Sequence, residues 1–202
     1  MFISVEGVPG IGLHPIAERI SNFIVEEYGT NSFSIMRREE PVNLEGNEAI
    51  FSYLGNIFSI AGERIIPAIN RIESIVYPGY IASFFSYYYS TADGRSAIRS
   101  LKSFKNIFPT ISFLLELPAC EIATGILLRI SEEKSSFRKD VLKRWLCNIE
   151  ERQKNIYLTA SELYDNTIIK VPYGMEDLTE CWEVMTRNIK KWYEKYNNVR
   201  YY

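Results

Sequence analysis

Histidine is nearly missing from this chain: of 202 residues, only His14 is one. With so little imidazole, a metal site would have to come from cysteine. Yet Cys120, Cys147 and Cys181 are only three, and no two stand at a CxxC spacing. The residues therefore offer no metal site. A histidine-based catalytic triad would rest on His14 alone, whose other reading is an exposed imidazole at a helix start. Three scattered cysteines also make no disulfide framework, which points to a reducing compartment, the cytoplasm. Long apolar runs are absent too. None approaches the roughly 20 residues that cross a bilayer, and the opening Met1 to Glu6 lacks the basic and apolar blocks of a signal peptide. Positive charge is not in excess, since 23 Lys and Arg stand against 25 Asp and Glu. A duplex binder that neutralises phosphates needs the opposite balance, so neither nucleic acid nor membrane is an expected partner.

What is present is an ordinary globular composition, 47% hydrophobic and 24% charged. Apolar runs and helical stretches alternate along it. Phe2 to Val5 reads as a buried strand cut off by Gly7, Pro9, Gly10 and Gly12. Pro15 to Tyr28 follows with helical spacing and stops at Gly29. Ser32 to Met36, Ser74 to Tyr77, Thr110 to Leu117 and Thr167 to Val171 read as four more strands. Residues 47–71 read as a long helix with Ile50, Phe51, Leu54, Ile57, Phe58 and Ala61 on one side, kinked or broken by Pro67. Further helices are expected over Glu121 to Ile130, around Val141 to Ile149, and over Trp182 to Tyr196. Uniformly apolar strands joined by helices imply a parallel sheet covered on both faces. The reading is one α/β domain of five parallel strands over residues 1–202.

The first loop is Gly7-Val8-Pro9-Gly10-Ile11-Gly12-Leu13-His14. Gly7 and Gly12 fit the phosphate-loop pattern G-x-x-x-x-G-K-[ST], in which glycines turn backbone amides around phosphate oxygens at a helix start. The final two positions do not fit. Leu13 replaces the lysine that reaches the phosphates, and His14 replaces the hydroxyl that holds magnesium. Taken alone, the loop fits a degenerate nucleotide loop and a plain glycine turn equally.

The wider pattern resembles thymidylate kinase. Phe2, Ile3, Glu6, Gly7, Gly10 and Gly12 keep the register of that family's opening F-I-x-x-E-G-x-[DE]-G-x-G-K-[ST]-T. Arg37-Arg38-Glu39-Glu40-Pro41 stands for T-R-E-P, with one extra residue. Tyr80, Ile81, Ser83 and Tyr87 match the stretch beyond D-R-Y, and Leu115-Glu116-Leu117-Pro118 stands for L-D-x-P. The resemblance implies a P-loop nucleoside monophosphate kinase fold, ATP and magnesium as cofactors if active, and a homodimer paired through helices on one sheet face. Tyr53, Phe58 and Ile60 on the long helix would supply apolar area for that pairing. It also implies an acceptor nucleotide, thymidylate, framed by Glu6, Arg38, Tyr80, Ser83 and Tyr87. Residues 131–140 take the place of the mobile lid, with Arg129, Lys134, Arg138 and Lys139 as cations in or beside it. The aromatic run Phe84 to Tyr89 reads either as a stacking surface for a base or as core packing.

The departures fall on the chemistry. The loop carboxylate becomes Pro9, the D-R pair of the long helix falls on Asn56-Ile57, and the aspartate and arginine of D-R-Y become Pro78 and Gly79. Phosphoryl transfer rests on positioning and on cationic stabilisation of the transferred group, and one lost donor costs on the order of 10²–10³ in rate. The sequence thus reads as a catalytically impaired nucleotide-binding or regulatory pseudokinase. The alternatives are an active kinase using substitute lid residues and a protein–protein scaffold without nucleotide affinity. If the loop keeps its backbone shape, Leu13→Lys should tighten ATP binding without harming the fold.

Overall fold

Apolar runs that end at a glycine or proline become the strands. β1 (Phe2–Glu6) runs into the glycine loop, β3 (Ser74–Pro78) into Gly79, and β4 (Ile111–Glu116) stops ahead of Pro118. β2 (Ser32–Ser34) and β5 (Thr167–Pro172) complete a five-stranded sheet in the order β2-β3-β1-β4-β5. All four pairings are parallel, with Phe2 opposite Ile75 on one side of β1 and Ile3 opposite Ile111 on the other. β1 and β3 are buried along their whole length, so both sheet faces are covered. This computed structural model describes residues 1–8, 11–35, 46–132, 134, 139, 143, 146–164, 167–173 and 178–197.

α1 (Leu13–Tyr28) follows the glycine loop and presents Ile16, Ala17, Ile20 and Ile24 to the core. Gly29, at φ 60°, turns its amide back onto the Val25 carbonyl and ends the helix. The expected long helix divides into α2 (Gly46–Ile60), a π-helical turn over Ala61–Ile65, and α3 (Ile66–Asn70). The break falls just ahead of Pro67, where the wider turn lets the chain pass a residue with no amide to donate. The buried stripe of α2 is Ile50, Tyr53, Ile57 and Ile60. Two residues expected on that side lie away from it: Phe51 is 72% exposed, and Phe58 is exposed with its ring against Phe104.

α4 (Ile81–Phe85) is only five residues long, and the aromatic run continues from it as turns to Ser90. α5 (Ala92–Leu101), unforeseen in the sequence, starts at Thr91, whose hydroxyl accepts from the Gly94 amide. Gly94 is required there because a β-carbon would meet the Tyr88 carbonyl oxygen. α6 (Ala119–Glu132) follows β4. α7 (Ile149–Leu163) begins where the sequence expectation of a helix over Val141 to Ile149 ends, and Val141, Leu142, Arg144 and Trp145 of that stretch lie outside the described residues. α8 (Thr179–Asn197) buries Met185 and Ile189, with Trp182 and Trp192 at the edge of the core. No helix among the described residues is long and apolar enough to cross a membrane.

Candidate functional site

The carboxyl end of central strand β1 is where an open parallel sheet presents a ligand crevice, and Glu6 stands there with no exposure to solvent. Its Oε2 accepts from the Ser83 amide (2.9 Å) and the Ser83 hydroxyl (2.6 Å), while its Oε1 accepts from the Tyr164 hydroxyl (2.9 Å). The Tyr164 hydroxyl in turn accepts from the Ala82 amide at 3.2 Å. Three distant parts of the chain are thus tied to one carboxyl: the end of β1, the start of α4 and the residue after α7. Burial pushes the Glu6 pKa up from the usual carboxylate value, with the hydrogen bonds from Ser83 and Tyr164 opposing. Burial also holds Tyr164 and Tyr80 well above the ordinary tyrosine value, with Glu6 adding to it.

The glycine loop starts from this node. The Gly7 amide donates to Ser83 Oγ at 3.1 Å, so it is committed to protein and not turned toward an anion. The loop side chains fold inward. Val8 and Ile11 are buried, and Leu13 is 8% exposed; all three belong to the hydrophobic core. A β-carbon on Gly7 would stand 2.6 Å from Ile11 Cδ1 and 3.0 Å from Leu13 Cδ2, so the space over the first glycine is filled by the loop itself. Gly12, in the left-handed region at φ 80°, caps α1 without any side-chain hydrogen bond, and the Tyr173 hydroxyl lies 3.7 Å from where its β-carbon would be. His14 projects from the first turn of α1 as an exposed side chain.

Magnesium and ATP do not fit these residues. Their cradle needs inward amides, a cation and a hydroxyl at the loop's end. Here the corresponding groups are an amide committed to Ser83, buried Leu13 and His14. Among the described residues, no group of three or more His, Cys, Asp or Glu side chains could hold a metal ion.

The acceptor side is similarly occupied. Tyr53 of α2 lies flat on Phe84 of α4, with ring centroids 3.6 Å apart and planes 1° from parallel. Both are buried, and Phe85 meets each ring edge-on. Two rings at contact distance leave no slot for a base between them. Of the two readings of the aromatic run, Phe84 therefore follows core packing. Ile57, where the resemblance would place an arginine, is a core side chain.

Tyr80 is fully buried, donating to the Ile107 carbonyl (2.8 Å) with its ring against Phe2 (5.1 Å). Tyr87 is half-buried beneath Arg152, whose guanidinium carbon is 3.7 Å from its ring centroid. Burial lowers the Arg152 pKa from the ordinary arginine value, with Tyr87 opposing, and the guanidinium remains cationic at neutral pH. The structure thus joins Glu6, Gly7 and Ser83, sets Tyr87 beside an unforeseen arginine, and commits Tyr80 to the core. Pro9, Gly10, Arg38 and Arg138 lie outside the described residues, as does the side chain of Arg129. Lys134 is exposed and Lys139 half-buried. Tyr164, Tyr53 and Arg152 carried no motif. For Tyr53 and Phe84, aromatic residues on neighbouring helices were the available signal.

No family model matches this chain, and no curated protein matches its sequence. Solved structures do match along nearly its whole length. Thymidylate kinase from Ehrlichia chaffeensis superposes with a TM-score of 0.60 at 15% identity, over 94% of this chain and 97% of that one. Deoxyadenosine kinase from M. mycoides with bound dATP gives 0.58 at 15% identity, over 94% and 100%. The same enzyme with bound dCTP gives 0.55 at 14% identity, over 95% and 100%. This chain therefore has the fold that those thymidylate and deoxyadenosine kinases share.

Proposed function

We propose that this chain is a pseudokinase, a P-loop kinase fold that does not transfer phosphate and acts as a binding or regulatory module over one domain, residues 1–202. The observation that carries the reading is the filled loop, with Ile11 and Leu13 packed over Gly7 and the Gly7 amide spent on Ser83. The Tyr53–Phe84 stack supports it on the acceptor side. The space filled over Gly7 and the closed Tyr53–Phe84 stack favour a scaffold with little or no affinity for ATP or thymidylate. Thermal-shift titration tests this. A ligand at a hundred times its dissociation constant adds about 2.7 kcal/mol, so millimolar Mg-ATP and thymidylate should leave the melting temperature unmoved. A saturable rise with either refutes the closed-site reading.

Arg152 above Tyr87 supports a second reading, an active nucleoside monophosphate kinase in which a substitute cation holds the acceptor phosphate. That reading predicts thymidylate turnover that Arg152→Ala abolishes. The lid-like stretch 131–140, with Lys134 and Lys139, would serve the same chemistry.

A homodimer is proposed through α2. Its outer face carries exposed Phe51 and Phe58 beside exposed Phe104, whereas Tyr53 and Ile60, expected to supply that area, are in the core. Such a pairing is isologous, and a particle mass of one chain at micromolar concentration removes it. Free thiols at exposed Cys120 and Cys147 suit the reducing cytoplasm, the proposed location.

A further inference from the structure

Between α5 and α7, beyond the aromatic turns that follow α4, the chain leaves a half-open cavity of about 420 Å³. That volume is within the range of small-molecule pockets. Its chemistry differs from that of the packed strand-end site. Arg95 comes from α5 and Lys154 from α7, and both line the same cavity. Among the described residues neither forms an ion pair, although Lys102, at the end of α5, and Glu162 of α7 pair at 3.1 Å further along. Two like charges set on separate helices around one space repel each other, and an anion between them reverses the sign of that interaction. Glu151, also in the lining, accepts from the Ser90 hydroxyl at 3.4 Å and leaves a net single positive charge among the lining side chains. The Tyr89 ring and the Leu158 side chain supply an apolar surface beside the cations.

We infer that this cavity is a binding site for a small phosphate monoester with an apolar or aromatic body, distinct from the Glu6–Gly7 node. The phosphate lies between Arg95 and Lys154, and the body of the ligand covers Tyr89 and Leu158. Charge-assisted bonds from two cations hold the anion. One phosphate fits better than a polyphosphate chain, because Glu151 in the same lining offsets one of the two cations and repels further negative charge. The site rests on residues that the pseudokinase reading does not use.

Isothermal titration with phenyl phosphate and, separately, inorganic phosphate tests it on the full chain. Phenyl phosphate should bind one-to-one, about tenfold or more tighter than inorganic phosphate, since burying a ring adds an apolar term. Arg95→Ala and Lys154→Ala should each weaken it by about tenfold or more, the usual worth of a charged hydrogen bond. Glu151→Gln should tighten it. Both cations are exposed, so these variants keep the fold, which circular dichroism checks. Absence of saturable binding overturns the proposal, as does equal affinity for the two probes. Affinity that survives both alanine variants places the anion elsewhere and also overturns it. None of these results bears on the loop reading, which Mg-ATP binding tests independently.

Discussion

Leu13→Lys restores the residue type that a phosphate loop carries and therefore separates an open loop from a filled one. In the structure Leu13 is 8% exposed, sits in the core cluster and lies over Gly7 beside Ile11. Removing a buried leucine forfeits roughly 1.5–3 kcal/mol of apolar burial. The lysine stem recovers part of that by lying along the same surface, but its ammonium enters the apolar core cluster beside Ile11. A buried charge without a partner adds a penalty of several kcal/mol unless the side chain escapes to water. The net expectation is a loss of about 2–4 kcal/mol. For a chain of this size that is a fall in melting temperature of about 4–16 °C. ATP affinity should not rise, because the Gly7 amide remains bound to Ser83 and Ile11 still fills the loop. Differential scanning fluorimetry with and without Mg-ATP reads both effects. A variant that melts like the parent and gains a saturable ATP shift refutes the reasoning, because the loop would then be open with the missing charge its only defect.

Three other perturbations test particular contacts. Glu6 has its pKa raised in the fold, so its contribution is fully present below the unfolded value near 4.5 and is lost as pH rises through the higher folded value. Glu6→Gln keeps the side-chain size and one of the two acceptor oxygens but cannot ionise. The melting-temperature difference between variant and parent should therefore grow in the variant's favour from pH 4.5 toward pH 8, and a flat difference contradicts the assignment. Phe84→Ala removes the ring stacked on Tyr53 and should cost about 3–5 kcal/mol by urea unfolding; a loss under 1 kcal/mol would mean the stack is not packed as described. Gly94→Ala drives a methyl group into the Tyr88 carbonyl and should cost about 1–3 kcal/mol, whereas an unchanged midpoint would place α5 differently.

β1, β3, β4 and β5 were legible because each is an apolar run closed by glycine or proline, and Phe2 to Val5 misses the observed β1 by one residue, whereas β2 is only Ser-Phe-Ser. α5 escaped because its apolar positions are only Ala92, Ala97, Ile98 and Leu101, with Gly94 inside; the Thr91 cap was the readable cue. On α2, apolar residues occupy more than one face. Periodicity could not say that Tyr53 and Ile60 point inward while Phe51 points out. At the site, Gly7 and Gly12 and the loss of the lysine were plain in the sequence. That Ile11 and Leu13 turn into the vacated space was not, since a pattern records a missing group but not what takes its room. The bond from Tyr164 to Glu6 spans 158 residues and has no local signature.

The pseudokinase reading stands or falls on turnover of thymidylate with ATP and magnesium, followed by a coupled assay for ADP alongside direct detection of the diphosphate. The account predicts a rate indistinguishable from the enzyme-free control for both the parent chain and Arg152→Ala. A turnover number of about 1 s⁻¹ or more, the range of working kinases, that vanishes in Arg152→Ala would contradict it and establish the substitute-cation mechanism instead.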